Sequence, residues 1–163
     1  MKNIKDGKND KVRQEIEKLN HVEMPIGGSG KVVKTVIGID ATGSMSSALD
    51  QVLKNTKICL ERTYEILRSR GITGGFEIQM AVYRNYNSDM NKLFQFSPFC
   101  TNANDLINFL QPVKVDGGWG NEAIENLYNH VLRFESEVDQ LIVIGDAACN
   151  TPGEVGSKRL NRG

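Results

Sequence analysis

Two apolar runs that each end in an aspartate constrain the fold of this chain more than any other feature. Val32–Ile39 is a β-branched run followed by Asp40, and Leu141–Gly145 is a second run followed by Asp146. Such runs are typical of strands that are buried on both faces of a parallel sheet. We therefore predict two central, neighbouring parallel strands, each with an aspartate at its carboxyl end.

The segments between these runs alternate between helical and extended patterns. Apolar residues recur at three- and four-residue steps from Met45 to Leu67, which predicts a long amphipathic helix. A later helix is predicted to be capped by Asn121. The remaining predicted elements are strands over Phe76–Tyr83 and Leu93–Ser97 and helices over 104–110 and 152–160. The order β-α-β-β-α-α-β indicates an α/β fold whose sheet is covered on both faces.

The overall charge and the cysteines exclude several classes of protein. Lys plus Arg and Asp plus Glu both total 20, so no net field attracts nucleic acid or an anionic membrane. The first residues lack the apolar core of a signal peptide, and no later run is long enough to span a bilayer. Three cysteines without CxxC spacing are most simply reduced thiols. We expect a cytoplasmic protein that binds neither nucleic acid nor membrane.

Residues 1–31 differ in composition from the rest of the chain. They are rich in Lys, Asn and Asp and end in the glycine-rich segment Gly27–Gly30. This segment is not a phosphate-binding loop, because Val32 follows Lys31 where Ser or Thr is required. We predict a flexible amino-terminal arm or linker over 1–31 and one domain over 32–163.

The two strand-end aspartates predict a metal site. Ligands of open α/β sheets bind beyond the carboxyl ends of the strands, where Asp40 and Asp146 would meet. Two carboxylates there require a shared counter-charge, and oxygen ligands suit a hard divalent cation. Thr42 and Ser44 add hydroxyl oxygens in the same loop, and Gly43 allows a tight turn into the helix. The predicted ion is Mg²⁺, with Mn²⁺ as an alternative.

These segments resemble those of a known family. Asp40–Ser44 is similar to the D-x-S/T-x-S signature of the metal-ion-dependent adhesion site in von Willebrand factor type A (VWA) domains. Gly117–Ala123 resembles the glycine-rich second segment of that site, and Ile144–Ala147 resembles the third, a strand that ends in Asp. Tyr83–Tyr86 fits a further loop on the same rim. The pattern is similar to intracellular VWA domains, such as those attached to α-kinases.

The resemblance implies a fold and a ligand set. The implied fold is a three-layer, doubly wound (Rossmann-like) α/β structure with a mostly parallel sheet and one antiparallel edge strand. On this resemblance, we expect the last strands of that fold to be missing and the VWA-like domain over 32–163 to be incomplete at its carboxyl end. The implied ligands are Thr42 and Ser44 directly, and Asp40 and Asp146 directly or through water.

The second segment departs from the family pattern. A threonine that many VWA domains place there has no evident counterpart, so Asn121 or Glu122 is the candidate substitute. A Glu122 ligand would add negative charge and weaken the attraction for an external acid. The resemblance implies that a carboxylate from a partner protein completes the coordination sphere.

Several readings of these residues stay open at this point. Asp40–Ser44 could serve only as a helix cap, because Asp, Thr and Ser all cap helices well. The expected function is a metal-dependent protein–protein interaction module that is not an enzyme. One alternative is metal-dependent phosphoryl transfer or hydrolysis, or a regulatory part of a larger kinase. Another is a truncated VWA relic without metal binding.

The side chains outside these segments give weaker indications. Trp119 is predicted to lie exposed on the rim, where it could contact a partner. His21 and His130 have no ligand spacing and are predicted to face solvent. Arg84 is the only basic side chain near a rim loop. Cys149 has no activating base nearby in sequence, so it is expected to be structural.

Overall fold

The computed structural model describes residues 32–71, 75–135 and 137–160. The chain divides into two units, Met1–Lys31 and Val32–Gly163. The arm predicted over 1–31 lies outside the described residues, as does His21.

One mixed sheet of four strands forms the centre of the described chain. Its strands are β1 (Val33–Asp40), β2 (Phe76–Tyr83), β3 (Phe94–Phe96) and β4 (Gln140–Ile144), in the spatial order β3-β2-β1-β4. β1 pairs in parallel with β2 and with β4, whereas β3 pairs antiparallel with β2. The prediction of a mostly parallel sheet with one antiparallel edge strand is confirmed.

Helices cover both faces of this sheet. After a 3-10 turn over Gly43–Ser47, the helices are α1 (Leu49–Ser69), α2 (Met90–Leu93), α3 (Ala103–Leu110), α4 (Ile124–Phe134) and α5 (Pro152–Leu160). Apolar residues of α1 and α3 pack on one face and those of α4 on the other, which confirms the three-layer α/β architecture. Of the helices that the structure describes, none is long and apolar enough to cross a bilayer.

The two core layers follow from the alternation of side chains along β1. Ile39 packs on the α1 and α3 side, and Val36 packs on the α4 side with Leu127. Gly38 lies beneath α4, where a Cβ atom would be 2.2 Å from Leu127 Cδ2. A glycine at this position therefore allows α4 to lie close to the sheet.

The prediction that β4 is central and covered on both faces is wrong for the described residues. β4 is an edge strand, and Ile142 and Val143 are 38% and 37% exposed. The strand beside β1 on the inner side is β2, which is buried from Ile78 to Tyr83. Apolar composition favours burial, but actual burial depends on which elements pack against the strand.

Two local predictions on the α4 side are also wrong. α4 begins at Ile124 with Ala123 as its N-cap residue, so Asn121 is not the cap. His130 does not face solvent: it is only 5% exposed, and its Nε2 lies 3.0 Å from Gln79 Oε1 and 3.0 Å from Glu135 Oε1. Because these partners come from β2 and from beyond the helix, the spacing of the sequence did not indicate them.

Candidate metal centre

The three segments that were predicted to form one site meet at the carboxyl edge of the sheet. β1 ends at Asp40, and the following loop is tied to the glycine-rich segment by a hydrogen bond from Gly43 N to Gly117 O of 2.8 Å. The glycine-rich segment is tied in turn to the chain after β4, since Glu122 N donates to Ala148 O at 2.8 Å. Parallel pairing of β1 and β4 thus brings both predicted aspartates to one edge.

A chain of hydrogen bonds connects the two aspartates through two hydroxyl groups. Thr42 Oγ1 and the Thr42 backbone N–H both donate to Asp40 Oδ1 at 2.8 Å. Ser44 Oγ donates to Asp146 Oδ1 at 3.0 Å. The two hydroxyl oxygens lie 3.1 Å apart. Each hydroxyl has a single proton, and either oxygen is placed to donate that proton to the other hydroxyl or to its carboxylate.

Asp40 is fully buried and only partly satisfied. Its Oδ2 atom has no hydrogen-bond partner within the described part of the chain. Burial raises the pKa of Asp40, and the nearby Asp146 acts in the same direction, while the hydrogen bonds from Thr42 oppose them. An unpartnered carboxylate oxygen beside electron-rich hydroxyls is an arrangement that a cation would stabilise.

Glu122 is the second buried acid of this cluster. Its Oε2 atom also has no hydrogen-bond partner among residues 32–71, 75–135 and 137–160. Burial raises the pKa of Glu122 to about 7, and Asp40 adds to the rise, whereas Lys158 opposes it. The cleft therefore contains an acid that changes its charge near neutral pH.

The glycine-rich segment gives the cleft its floor. Gly117, Gly118 and Gly120 have φ angles of 72°, 122° and 79°, a region that residues with a side chain rarely adopt. A Cβ on Gly118 would lie 3.4 Å from Glu122 Oε1 and 3.4 Å from Gly43 N. The backbone can therefore approach both the first loop and the buried acid.

These groups line an open cleft of about 450 Å³. Its lining residues are Gly43, Ser44, Gly117, Gly118, Gly120, Glu122, Asp146 and Ala147. Across the described ranges, no three His, Cys, Asp or Glu side chains lie together in a group that could hold a metal ion. The donor set fits a hard divalent ion only as a mixture of carboxylate and hydroxyl oxygens, which is the set predicted from the sequence.

The two candidates in the second segment have different surroundings. Glu122 faces the cleft, whereas the Asn121 amide donates to the Glu154 carboxylate at 3.1 and 3.2 Å and is directed toward α5. The rim residue Arg84 is buried, and its guanidinium donates to the Lys114 carbonyl at 2.7 Å. Arg84 is therefore part of the scaffold that holds the segment before the glycines.

Trp119 and Lys158 lie at the rim of the cleft. Trp119 is 43% exposed, as the sequence predicted. Lys158, which the sequence analysis did not consider, donates to the carbonyl oxygen of Asn121 at 2.7 Å. In the sequence, Lys158 is recognisable only as a basic residue in the last turn of a predicted helix. Basic residues are common there, and their position does not indicate which groups they contact.

Several solved structures are similar to this chain in fold. The pilus adhesin SpaC from Lactobacillus rhamnosus GG matches with a TM-score of 0.54 and 14% identity, over 73% of this chain and 16% of SpaC. The open conformation of SpaC matches with a TM-score of 0.52 and 14% identity, over 71% of this chain and 14% of that one. The vWF domain of the type V pili tip protein Mfa5 from Porphyromonas gingivalis matches with a TM-score of 0.49 and 18% identity, over 73% of this chain and 39% of that chain.

This chain has a VWA-like fold. The mostly parallel sheet with one antiparallel strand and the three-layer α/β architecture agree with the resemblance found in the sequence. No protein-family model matches the sequence, and no curated protein matches it. At 14% identity, the likeness to SpaC shows the fold alone, and the VWA-like chain spans less than a fifth of SpaC's length.

Proposed function

We propose that this VWA-like chain is a protein-interaction domain that recruits its partner through a metal ion at the carboxyl edge of the sheet. The ion is Mg²⁺, with Mn²⁺ as an alternative, and the partner offers a carboxylate. The residues proposed to hold the ion, directly or through water, are Asp40, Thr42, Ser44, Asp146 and Glu122.

The buried and unpartnered carboxylate oxygen of Asp40 is the observation that carries this proposal. Within the described residues, Asp40 Oδ2 has no hydrogen-bond partner, and the hydroxyl oxygens of Thr42 and Ser44, 3.1 Å apart, connect Asp40 to Asp146. A buried carboxylate oxygen without a donor is costly unless a positive charge lies beside it. A helix cap alone would not explain the arrangement, because neither the 3-10 turn nor α1 has a side-chain cap hydrogen bond.

Access from outside supports a role in binding a partner. Ser44 and Asp146 are exposed at the mouth of the cleft, while Asp40 and Glu122 lie buried behind them. When bound, the ion would supply an electrophilic position that accepts an external oxygen ligand. The exposed indole of Trp119 lies on the adjoining loop, and aromatic side chains in such positions commonly anchor protein partners. One solved structure with a similar fold is a pilus adhesin, which agrees with an adhesive role.

The expectation that the chain is not an enzyme stays a prediction. Within the described residues, the basic groups near the cleft are engaged: Arg84 and Lys158 donate to backbone carbonyls. His130 is buried in an aromatic cluster, with its ring centroid 4.2 Å from that of Phe96. None of these contacts favours the hydrolase alternative, which predicts metal-dependent phosphoester hydrolysis that is lost in Asp146→Asn.

A thermal melt with and without Mg²⁺ tests the metal site. At a hundredfold excess of Mg²⁺ over its Kd, binding adds roughly 2.7 kcal/mol to the free energy of unfolding and raises the Tm. Asp40→Asn removes a buried charge that lies near Asp146, so the metal-free variant should melt no lower than the wild type. The Mg²⁺-dependent rise in Tm should be absent from Asp40→Asn. Asp50→Asn, in the exposed first turn of α1, is the matched control and should keep the rise.

Two outcomes would contradict the metal site. Equal melting of the wild type with and without Mg²⁺ or Mn²⁺ would favour the relic alternative. An undiminished rise in Asp40→Asn would place the bound ion elsewhere.

Acetate serves as a probe for the partner's carboxylate. In the Mn²⁺-loaded domain, acetate should displace ion-bound water and lower the water-proton relaxation enhancement. Acetamide has the same size and no charge, and it should have little effect. If both probes act equally, the carboxylate specificity of the proposal is wrong.

A further inference from the structure

Lys158 joins α5 to the segment that forms the floor of the cleft. Its Nζ atom donates to three oxygens: Trp119 O at 2.9 Å, Asn121 O at 2.7 Å and Asn150 Oδ1 at 2.7 Å. None of these acceptors is a carboxylate. The ammonium group thus uses all of its protons on neutral oxygens, two of which belong to the glycine-rich segment.

The position of these two carbonyls gives the contact its significance. Trp119 and Asn121 flank Gly120, whose φ angle is 79° and around which there is open space. Glycine has many accessible conformations, so the sequence of this segment does not fix its path by itself. Glu122 follows directly, and its carboxyl group faces the cleft. Side chains from outside the segment are needed to fix this path. Asn85 donates to Asn121 O at 2.7 Å, and Lys158 donates to the carbonyl oxygens on both sides of Gly120.

A second polar contact from α5 reaches the same segment. Glu154 accepts from the Asn121 amide at 3.1 and 3.2 Å, and it also accepts from Thr151 N at 2.7 Å. α5 has no buried residue. It is therefore attached to the rim by polar groups: Glu154 accepts from the side chain of Asn121, whereas Lys158 donates to two backbone carbonyls of the glycine-rich segment.

We propose that Lys158 is a positioning residue of the metal centre, which fixes the 119–121 backbone and thereby holds both the Glu122 carboxyl group and the Trp119 indole at the cleft. The part of this inference that concerns the ion rests on the proposed function. The part that concerns the segment itself does not, because the contacts exist without the ion.

A purely electrostatic role for Lys158 predicts the opposite effect on metal affinity. A positive charge near Glu122 repels a divalent cation, so its removal would strengthen binding if charge were all that mattered. Loss of positioning would weaken binding, since supporting residues around metal ligands typically contribute tenfold to hundredfold in affinity. The sign of the change in Kd separates the two roles.

The test compares Lys158→Met, Lys158→Arg and the control Lys57→Met in the full chain. Lys57 lies exposed on α1, away from the cleft. Trp119 is the single tryptophan of the chain, so its fluorescence reports on the glycine-rich segment alone. In metal-free protein, Lys158→Met should make Trp119 more accessible to acrylamide quenching, while Lys57→Met should match the wild type.

Metal affinity provides the second measurement. Well below the Tm, the Kd for Mn²⁺ should rise about tenfold or more in Lys158→Met. Lys158→Arg keeps the charge and several donors, and it should recover part of the affinity. Lys57→Met should leave the Kd unchanged.

The outcomes distinguish this inference from the proposed function. Absence of Mn²⁺ binding by the wild type defeats the proposed function, and the metal-free quenching then decides the positioning role on its own. Unchanged quenching in Lys158→Met overturns the positioning role. A lower Kd in that variant shows that Lys158 acts through its charge, and a lower Tm with unchanged quenching and Kd shows a merely structural role. Both results overturn the inference.

Discussion

Glu122 is the residue that most affects the charge of the cleft. With Asp40 and Asp146 ionised, a divalent ion would balance the site, and an ionised Glu122 would leave it one charge negative. We therefore expect Glu122→Gln to bind acetate more tightly than the wild type when both are loaded with Mn²⁺ at pH 8. Water-proton relaxation titrations would measure the difference. Weaker acetate binding in the variant would show that the Glu122 carboxylate is needed for the ligand position.

The raised pKa of Glu122 also predicts a pH dependence of stability. Its pKa is about 7 in the folded protein and 4.5 ordinarily, so the folded state binds the proton more tightly. The resulting stabilisation is complete below pH 4.5 and is lost as the pH rises through 7. In metal-free protein, this loss amounts to at most about 3 kcal/mol. Between pH 5 and pH 8, the free energy of unfolding should fall less in Glu122→Gln than in the wild type.

Urea unfolding at the two pH values measures this change. Glu65→Gln, on an exposed position of α1, is the control and should follow the wild type. If the wild type and Glu122→Gln lose equal stability, Glu122 does not titrate in this range.

The sequence predicted some residues of the centre and not others, for physical reasons. Asp40, Thr42 and Ser44 could be identified because one short loop carries all three oxygens. The choice between Asn121 and Glu122 could not be made from the sequence. It depends on Glu154, a residue of another helix whose carboxylate accepts hydrogen bonds from the Asn121 amide.

At the scale of elements, the spacing between β1 and α4 depends on Gly38. We expect Gly38→Ala to destabilise the chain by roughly 1–3 kcal/mol, because the added Cβ would overlap Leu127, which is fully buried. Gly156→Ala is the matched control, since it lies in α5 with nothing within 4 Å of an added Cβ. It should be neutral or stabilising by up to about 1 kcal/mol. Urea unfolding of both variants checks this, and equal effects would contradict it.

The elements themselves were predictable to the extent that their sequence patterns are local. β1 is a continuous β-branched run and β2 lies at its predicted bounds, so both strands agree with the structure to within one residue. The predicted long helix begins at Leu49 and not at Met45, because a 3-10 turn over Gly43–Ser47 precedes it. The burial of β4 was wrong because composition does not reveal which strand lies at an edge. The role of α5 was missed because Lys158 meets its acceptors only through the fold of the loops.

For the molecule as a whole, the sheet order predicts a gradient of local stability. β1 and β2 are central, whereas no described strand pairs with the outer edge of β4, and α5 has no buried residue. We expect amide hydrogen exchange to be slowest in β1 and β2 and faster in α5 and at the outward-facing amides of β4. Uniformly slow exchange throughout β4 would contradict this order and would indicate that its edge is covered.

The close approach at Gly38 also offers a way to adjust the cleft by design. α4 begins just after Glu122, and its depth above the sheet is limited by the contact between Leu127 and Gly38. A smaller side chain at position 127 would let the start of the helix settle inward, and a larger one would raise it. An engineer could thus tune the reach of the carboxylate from within the core, without altering any group that faces a ligand.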